Sequence, residues 1–380
     1  VSFNKVLIAN RGEIAVRISR ALAELSIASV GLYSKDDQAS RHWRLADTAA
    51  ALEGSGVRAY LDGQQIIAIA QAHGCDAIHP GYGFLSEDPN FAKTCESVGI
   101  RFIGPRAEAL ALFGNKISAR QLAQQCQVPL SASNTDAATP ASAKHFFEQQ
   151  GGAPILIKSA AGGGGRGMAI IREAALIGKA FARCQSEAEK AFGNGDLFVE
   201  VFIESARHIE VQILADNFGK VIHLWERDCS VQRRHQKLIE VAPSPKLPEH
   251  MREAMINDAI KMAKQGHYNN IGTFEFLIDN QRDTRLQDMR YVFIETNPRL
   301  QVEHTVTEAV TGIDIVQTQI QLAAGASLHD LGLDKAPPTT GYAMQMRVNA
   351  ERVDNNQVLP SSGTISQLDL PSGPGDRVDT

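Results

Sequence analysis

Along the first part of the chain, short apolar runs alternate with stretches whose hydrophobic positions recur every three or four residues. KVLIAN (5–10) has the continuous apolar character of a buried parallel strand. After the turn Arg11-Gly12-Glu13, the positions Ile14, Ile18, Leu22 and Leu25 follow helical spacing. A strand over Ala28–Tyr33, a helix near Gly63–His73, a strand at Ala77–His79, a helix over Pro89–Val98 and a strand at Arg101–Ile103 come next. Such alternation predicts a doubly wound α/β layer over residues 1–113.

The pattern changes at 130–150, where SASNTDAATPASA is small and polar and Pro140 opens a helix, as expected of a hinge into a second unit. That unit reads as a strand (PILIKSA), a glycine loop, a strand (MAIIR), a helix over about 174–191 and a strand (LFVEVFI). From 207 the segments HIEVQILAD, KVIHLWER, TFEFLID, YVFIET and AMQMRVNAE read as mostly antiparallel strands, with helices near 249–265 and 307–325.

Composition narrows the function classes. The 380 residues suffice for two or three domains. With 38 Lys and Arg against 43 Asp and Glu, the net charge of -5 supplies no global field for nucleic acid or anionic lipid, so any anion site is local. No run approaches the roughly 18 apolar residues of a membrane span. The five cysteines are scattered and form no C-x-x-C, which argues against a disulfide frame or zinc site and for a reducing, cytoplasmic setting.

The stretch KSAAGGGGRGM (158–168) satisfies G-x-G-x-x-G literally. It runs from strand to strand, so the helix amino terminus of a dinucleotide site is missing, and no Lys-Ser/Thr follows the last glycine as in a Walker loop. The first turn, ANRGEIA, has one glycine where a dinucleotide turn needs three. What remains is a flap whose backbone N–H groups close on phosphate oxygens, with Lys158 adding charge; a flexible surface hairpin is the alternative. Lys116, in FGNK, stands where the first layer meets the flap unit.

In TFEFLID, period-2 alternation puts Glu275 on the face opposite Phe274 and Phe276, and in YVFIETN it puts Glu295 and Asn297 opposite Ile294. Joined as a hairpin through 279–290, the two strands bring both carboxylates to one face. Two such charges repel by about 4 kcal/mol at ~4 Å with an effective dielectric near 20, so a cation is expected between them. Oxygen ligands favour Mg²⁺ or Mn²⁺ over zinc; two ordinary surface glutamates are the alternative.

ERDCSVQRRHQK (226–237) is the densest cationic cluster. It lacks the interleaved aromatics of a single-strand-binding surface and has acidic flanks, so a small anionic substrate fits better than RNA. In PRLQVEH, Arg299 and Glu303 are four apart and read either as a helical ion pair or as an anion clamp and a base. Cys229 reads as a buried, unreactive thiol.

Together, IANRGEIA, HPGYGFLSE, KSAAGGGGRGM, RHIEVQILAD, ERDCSVQRRHQK, GTFEFL, FIETNPRLQVEHTVTE and RVNAE, in collinear order from about residue 3 to the end, resemble the biotin carboxylase domain of biotin-dependent carboxylases, in the ATP-grasp superfamily. The resemblance implies an α/β chain with a Rossmann-like amino-terminal (pre-ATP-grasp) domain at 1–113. An ATP-grasp linker and mobile glycine-rich lid would follow at 114–203, an ATP-grasp core at 204–330, and the start of an incomplete antiparallel carboxy-terminal subdomain at 331–380.

It further implies that Lys116, Lys158, His208 and Gly163, Gly164 and Gly165 face the phosphates of ATP. Glu200 and Ile203 would lie at the adenine edge by main chain, and Gln232 and His235 near the ribose. Glu275, Glu295 and Asn297 would hold Mg²⁺. Bicarbonate would sit against Lys237, Arg299, Gln301 and the Val302 amide, with Glu303 as its base. Arg347, sharing a polar strand face with Gln345 and Asn349, would neutralise the enolate of biotin, the carboxyl acceptor.

Val201 stands where many relatives have lysine, Thr296 and Pro298 depart from the commoner wording, and the 279–290 segment is longer than in compact relatives. The family domain continues past a GDRVDT-like segment, and the chain has no initiator methionine, so a fragment of a multidomain carboxylase is expected, inactive or short of full activity on its own. Expected partners are a biotin carboxyl carrier domain, a carboxyltransferase domain or subunit and, in the intact parent, a second copy through the first helices, with Arg20 and Glu24 as candidate contacts. HTVTE points towards pyruvate carboxylase-like chains, while acyl-CoA and urea carboxylases stay open. Another ATP-grasp ligase, or a nucleotide-binding module without turnover, is the competing interpretation.

Overall fold

The computed structural model describes residues 2–134, 137–160, 167–234, 236–279, 290–355, 357–361 and 363–380; Gly163, Gly164, Gly165, His235 and most of the 279–290 connection lie outside the described residues. The first layer contains β1 (Lys5–Ile8), α1 (Gly12–Glu24), β2 (Ala28–Tyr33), β3 (Thr48–Ala51), α2 (Gly56–Ala59), α3 (Gly63–Ala72), β4 (Ala77–His79), α4 (Pro89–Ser97) and β5 (Arg101–Phe102). Its strands form a parallel sheet in the order β3-β2-β1-β4-β5. Ile14, Ile18 and Leu22 are fully buried, as their spacing predicts. Edge strand β3, TAAA, escapes sequence reading because alanine has little strand preference.

Two helices follow, α5 (Ala107–Gly114) and α6 (Lys116–Gln125). Between them the Asn115 side chain accepts hydrogen bonds from the Ile117 and Ser118 N–H groups, which starts α6 at Lys116. Phe113 and Leu122 pack with Val211, Met255 and Phe274, so the chain crosses into the core of the last unit before it enters the flap.

The flap unit opens with α7 (Pro140–Gln149), whose Thr139 and Ser142 form a reciprocal capping box. It continues with β6 (Ile155–Ser159), β7 (Met168–Ile171), α8 (Ile177–Phe192) and β8 (Leu197–Val201). The strands make an antiparallel sheet, β7-β6-β8, with Lys158 opposite Met168, and α8 buries Phe181 and Cys184 against Ile155 and Val199.

The largest sheet combines β9 (Ala206–Ala215), β10 (Val221–Arg233), β11 (Gln236–Ala242), β12 (Asn270–Asp279), β13 (Arg290–Asn297) and β14 (Ala343–Met346) in the antiparallel order β13-β12-β9-β10-β11-β14. Helix α9 (Glu249–Gln265), with α5 and α6, covers one face. On the other, Leu214, Ile222 and Ile271 share a core with Ile14 and Ile18 of α1 and with Val316 and Ile320, which docks the first layer onto the sheet.

The described residues of the cationic segment 226–237 belong to the β10–β11 hairpin. Two expectations need correction. The helix expected over 307–325 is two, α10 (His304–Thr311) and α11 (Ile315–Ala323), because Gly312 takes the left-handed conformation (φ +72°) that ends a helix. AMQMRVNAE leaves the sheet after Met346, and the chain closes with a small hairpin, β15 (Glu351–Asp354) and β16 (Gln357–Pro360).

Candidate active site

Strand registers line up one row of charged residues across four neighbouring strands. Arg227 on β10 stands opposite Glu210 on β9, Glu210 opposite Glu275 on β12, and Glu275 opposite Glu295 on β13. The alternation in TFEFLID and YVFIET anticipates two of these carboxylates. Glu210 was missed, although the same alternation in HIEVQ puts His208, Glu210 and Gln212 on one face.

Cations interleave the row. The Lys237 ammonium touches Glu210 and lies 3.0 Å from Glu275 and 2.8 Å from Glu303. His208 Nε2 is 2.7 Å from Glu275, with Gln232 2.8 Å from its Nδ1, and Lys116 is 3.0 Å from Glu295. Burial alone would raise the Glu275 carboxyl, but Lys237 and His208 bring it down to about 2. Lys116 and Lys158 outweigh burial at Glu295 in the same way, again to about 2. At the β10 end of the row, the fully buried Arg227 reaches Glu210 at 3.2 Å, Gln212 at 2.9 Å and the hydroxyls of Thr273 and Thr307 at 3.1 Å.

A second cluster sits at the foot of the flap. Lys158 on β6 is 2.7 Å from the buried Glu200 on β8, which also accepts hydrogen bonds from Arg120 at 3.0 Å and Ser131 at 2.9 Å. Against the cost of burial, the two cations keep Glu200 ionised below the ordinary carboxylate range. The Lys116 N–H donates to the Ala160 carbonyl at 2.9 Å, tying the start of α6 to the end of β6. Arg120 was not foreseen, because its place on α6 looks like any amphipathic position until β8 is folded against it.

The third corner surrounds Arg299. Its guanidinium contacts Glu87 and donates at 3.2 Å to Asn297 Oδ1 and Gln301 Oε1. Arg299 and Glu303 are not the helical ion pair that their spacing permits, since Glu303 caps α10 and Arg299 precedes it. Glu303 is fully buried; Lys237 lies 2.8 Å from Oε1 and Arg347 2.8 Å from Oε2. The Gln301 side-chain nitrogen is buried without a hydrogen-bond partner among the described residues. Cys229 is buried, and burial followed by Glu210 pushes its thiol well up, so it is no thiolate ligand.

These clusters face one cleft of about 740 Å³ between the flap sheet and the six-stranded sheet. Lys116, Lys158, Glu200, Ile203, His208, Gln232, Lys237, Glu275, Glu295, Asn297, Arg299, Gln301, Val302 and Arg347 all line it. Glu303 lies behind Lys237 and Arg347. The donor set suits a hard divalent cation: Glu275 and Glu295 are ionised on facing strands, and Asn297 donates to Glu275 at 2.6 Å.

A parallel layer, a flap sheet carrying a lysine and an antiparallel sheet carrying ionised carboxylates, closed around one cleft, define a protein of the ATP-grasp class. Two family models match, "Biotin carboxylase, N-terminal domain" over residues 2–110 and "Carbamoyl-phosphate synthase L chain, ATP binding domain" over residues 115–331. The chain belongs to the biotin carboxylase family.

The biotin carboxylase domain dimer of Hydrogenobacter thermophilus 2-oxoglutarate carboxylase, solved with MgADP, ADP and bicarbonate, superposes with a TM-score of 0.92 at 41% identity over 98% of this chain and 80% of that one. A biotin carboxylase–beta-gamma-ATP complex from Campylobacter jejuni gives 0.89 at 40% identity, over 98% and 81%. Pyruvate carboxylase of Pichia angusta is 49% identical over 99% of this chain, and that of Bacillus subtilis 48% over 100%. The chain spans about a third of the length of these curated relatives, 32% and 33% respectively. Among the described residues no helix is long and apolar enough to cross a membrane, and all five cysteines are unpaired.

Proposed function

We propose that this chain carries out the ATP- and Mg²⁺-dependent carboxylation of biotin, presented on a carrier domain, by bicarbonate through carboxyphosphate. The observation that carries this reading is Glu303, sealed from solvent and held at 2.8 Å by both Lys237 and Arg347, next to the carboxylate row and the Arg299 corner. When Glu303 takes a proton, Lys237 keeps Glu210 and Glu275 as anionic partners, so its charge is not left unpaired.

Lys116, Lys158 and His208 take the phosphates of ATP, with the flap glycines Gly163, Gly164 and Gly165 closing over them. Glu200 and Ile203 meet the adenine by main chain, and Gln232 and His235 the ribose. Glu275, Glu295 and Asn297 would hold Mg²⁺, which supplies charge neutralisation for the transferring phosphoryl group. Bicarbonate sits against Lys237, Arg299, the unpartnered Gln301 nitrogen and the Val302 amide.

Glu303 accepts the bicarbonate proton, and the resulting carbonate oxygen takes the γ-phosphoryl group, releasing ADP. Carboxyphosphate then yields CO₂ and phosphate, the phosphate removes the biotin N1′ proton, and N1′ captures CO₂. Arg347 faces the charge that develops on the ureido oxygen. Exclusion of water by the closed cleft protects the mixed anhydride from hydrolysis.

For the intact parent we propose a cytoplasmic, homo-oligomeric carboxylase with carrier and carboxyltransferase parts and pyruvate as final acceptor, supported by the identity to pyruvate carboxylases. The carbamoyl-phosphate synthase model favours a second reading, a ligase that uses the same fold on another acceptor. ADP release from the full-length protein, assayed with and without bicarbonate and free biotin, separates the two. Biotin carboxylation requires turnover that depends on bicarbonate and rises with biotin, and Glu303→Gln should abolish it while nucleotide binding persists. Turnover independent of bicarbonate sinks the proposal.

A further inference from the structure

Glu240 has no part in the reaction above, yet it is the second carboxylate on the arginine that the reaction uses. It stands on β11 opposite Gln345 of β14, two residues before Arg347. Its side chain is fully buried, and its Oε1 lies 2.6 Å from both Nε and Nη2 of Arg347. Its Oε2 has no hydrogen-bond partner among the described residues. The same Nη2 donates to Glu303 Oε2 at 2.8 Å, and the Arg347 N–H donates to the Leu238 carbonyl at 3.0 Å. Backbone and Nε edge are thus both fastened to β11, while the side chain lines the cleft.

Glu303 changes charge during turnover. A guanidinium held by Glu303 alone would lose its anionic partner when the bicarbonate proton arrives, and a cation left unpaired in a largely buried site is costly. We propose that Glu240 is a positioning residue for Arg347: it retains the guanidinium while Glu303 takes and returns a proton, so that Arg347 is in place when charge develops on the carboxyl acceptor. This inference rests on the biotin carboxylase reading.

The charged groups that face Glu240 are Arg347 beyond β14, Glu303 before α10 and Glu210 on β9. Burial raises its carboxyl most, Arg347 opposes the rise, and Glu303 and Glu210 add to it, leaving it at about 7. As pH falls through that value the carboxylate becomes a neutral acceptor and its grip on Arg347 weakens.

The test compares Glu240→Gln and Glu240→Asp with the unmodified full-length protein from pH 6 to 9, in two assays on each sample: bicarbonate-dependent ADP release without biotin, and its stimulation by free biotin. Glu240→Gln should lower the biotin-stimulated rate or raise the biotin KM by about tenfold to a hundredfold, the range for loss of a charged hydrogen bond. The biotin-free rate should stay within about threefold. The acid limb of the biotin response, near pH 7 in the unmodified protein, should vanish in Glu240→Gln and persist in Glu240→Asp, which should also regain part of the rate. Unchanged biotin kinetics and an unchanged acid limb in Glu240→Gln overturn the role, as does an equal loss in both assays. Bicarbonate-independent release by the unmodified protein overturns instead the function on which the role rests.

Discussion

Glu210 stands directly opposite Glu275 across the β9–β12 pairing, and the Lys237 ammonium touches both. The pair belongs to a row of three carboxylates that extended-strand alternation places on one face of the sheet. Without cations such a row would repel itself, each neighbouring pair by several kcal/mol at an effective dielectric near 20. Lys237, Lys116, His208 and Arg227 neutralise it from four different elements.

Because these cations already balance the row, a divalent metal alone should find little to gain there. Mg²⁺ without nucleotide is expected to leave the thermal midpoint unchanged, whereas Mg²⁺ with ADP should raise it more than ADP does. Glu275→Gln should remove the Mg²⁺-dependent part of that rise. Differential scanning fluorimetry across the four conditions checks this, and a large shift with Mg²⁺ alone would count against it.

Arg227 has no exposed surface and no role in contacting substrate, so its replacement should act on stability. Arg227→Met removes its hydrogen bonds and leaves Glu210 short of one cation, which should cost about 3 kcal/mol. Arg227→Lys cannot reproduce the fork that reaches Gln212 and Thr273 at once and should cost nearly as much. Urea denaturation with unchanged slope and a lowered midpoint is the expected result.

Acid stability follows from Glu275 and Glu295, whose carboxyls are held at about 2 against an unfolded value of 4.5. Depressed carboxyls contribute stability that is fully present above 4.5 and is lost as pH falls through about 2. The denaturant midpoint should therefore drop steeply over that window. Glu295→Gln should flatten the drop, and an unaltered slope would contradict the assigned charge state.

Arg299 is anchored by Glu87, Asn297 and Gln301 and lines the cleft. Arg299→Lys should raise the bicarbonate KM about tenfold, since a lysine cannot present two parallel donors to a carbonate-like anion. ATP affinity, measured by calorimetry, should change by less than about twofold. Equal losses in both would place Arg299 on the nucleotide instead.

The sequence by itself determined much of this protein. Period-2 alternation around Glu275 and Glu295, the glycine run entered from a strand, and helical spacing at Ile14, Ile18 and Leu22 are local patterns, set by backbone geometry that any window of a few residues obeys. They sufficed for the parallel layer, for the antiparallel sheet and for a pair of facing carboxylates. The helix break at Gly312 was equally local and was passed over, because the apolar period resumes on the far side of it.

Only the tertiary structure decided which charges meet. Glu200 with Arg120, Arg299 with Glu87 and Glu240 with Arg347 are separated by 80, 212 and 107 positions in the chain, and Arg120, Glu87 and Glu240 each read as an ordinary polar residue in their own segments. Their burial is stable only as pairs, and pairing depends on strand order and on how the first layer and the flap dock. That is a sum over the whole molecule, which no short stretch of sequence contains.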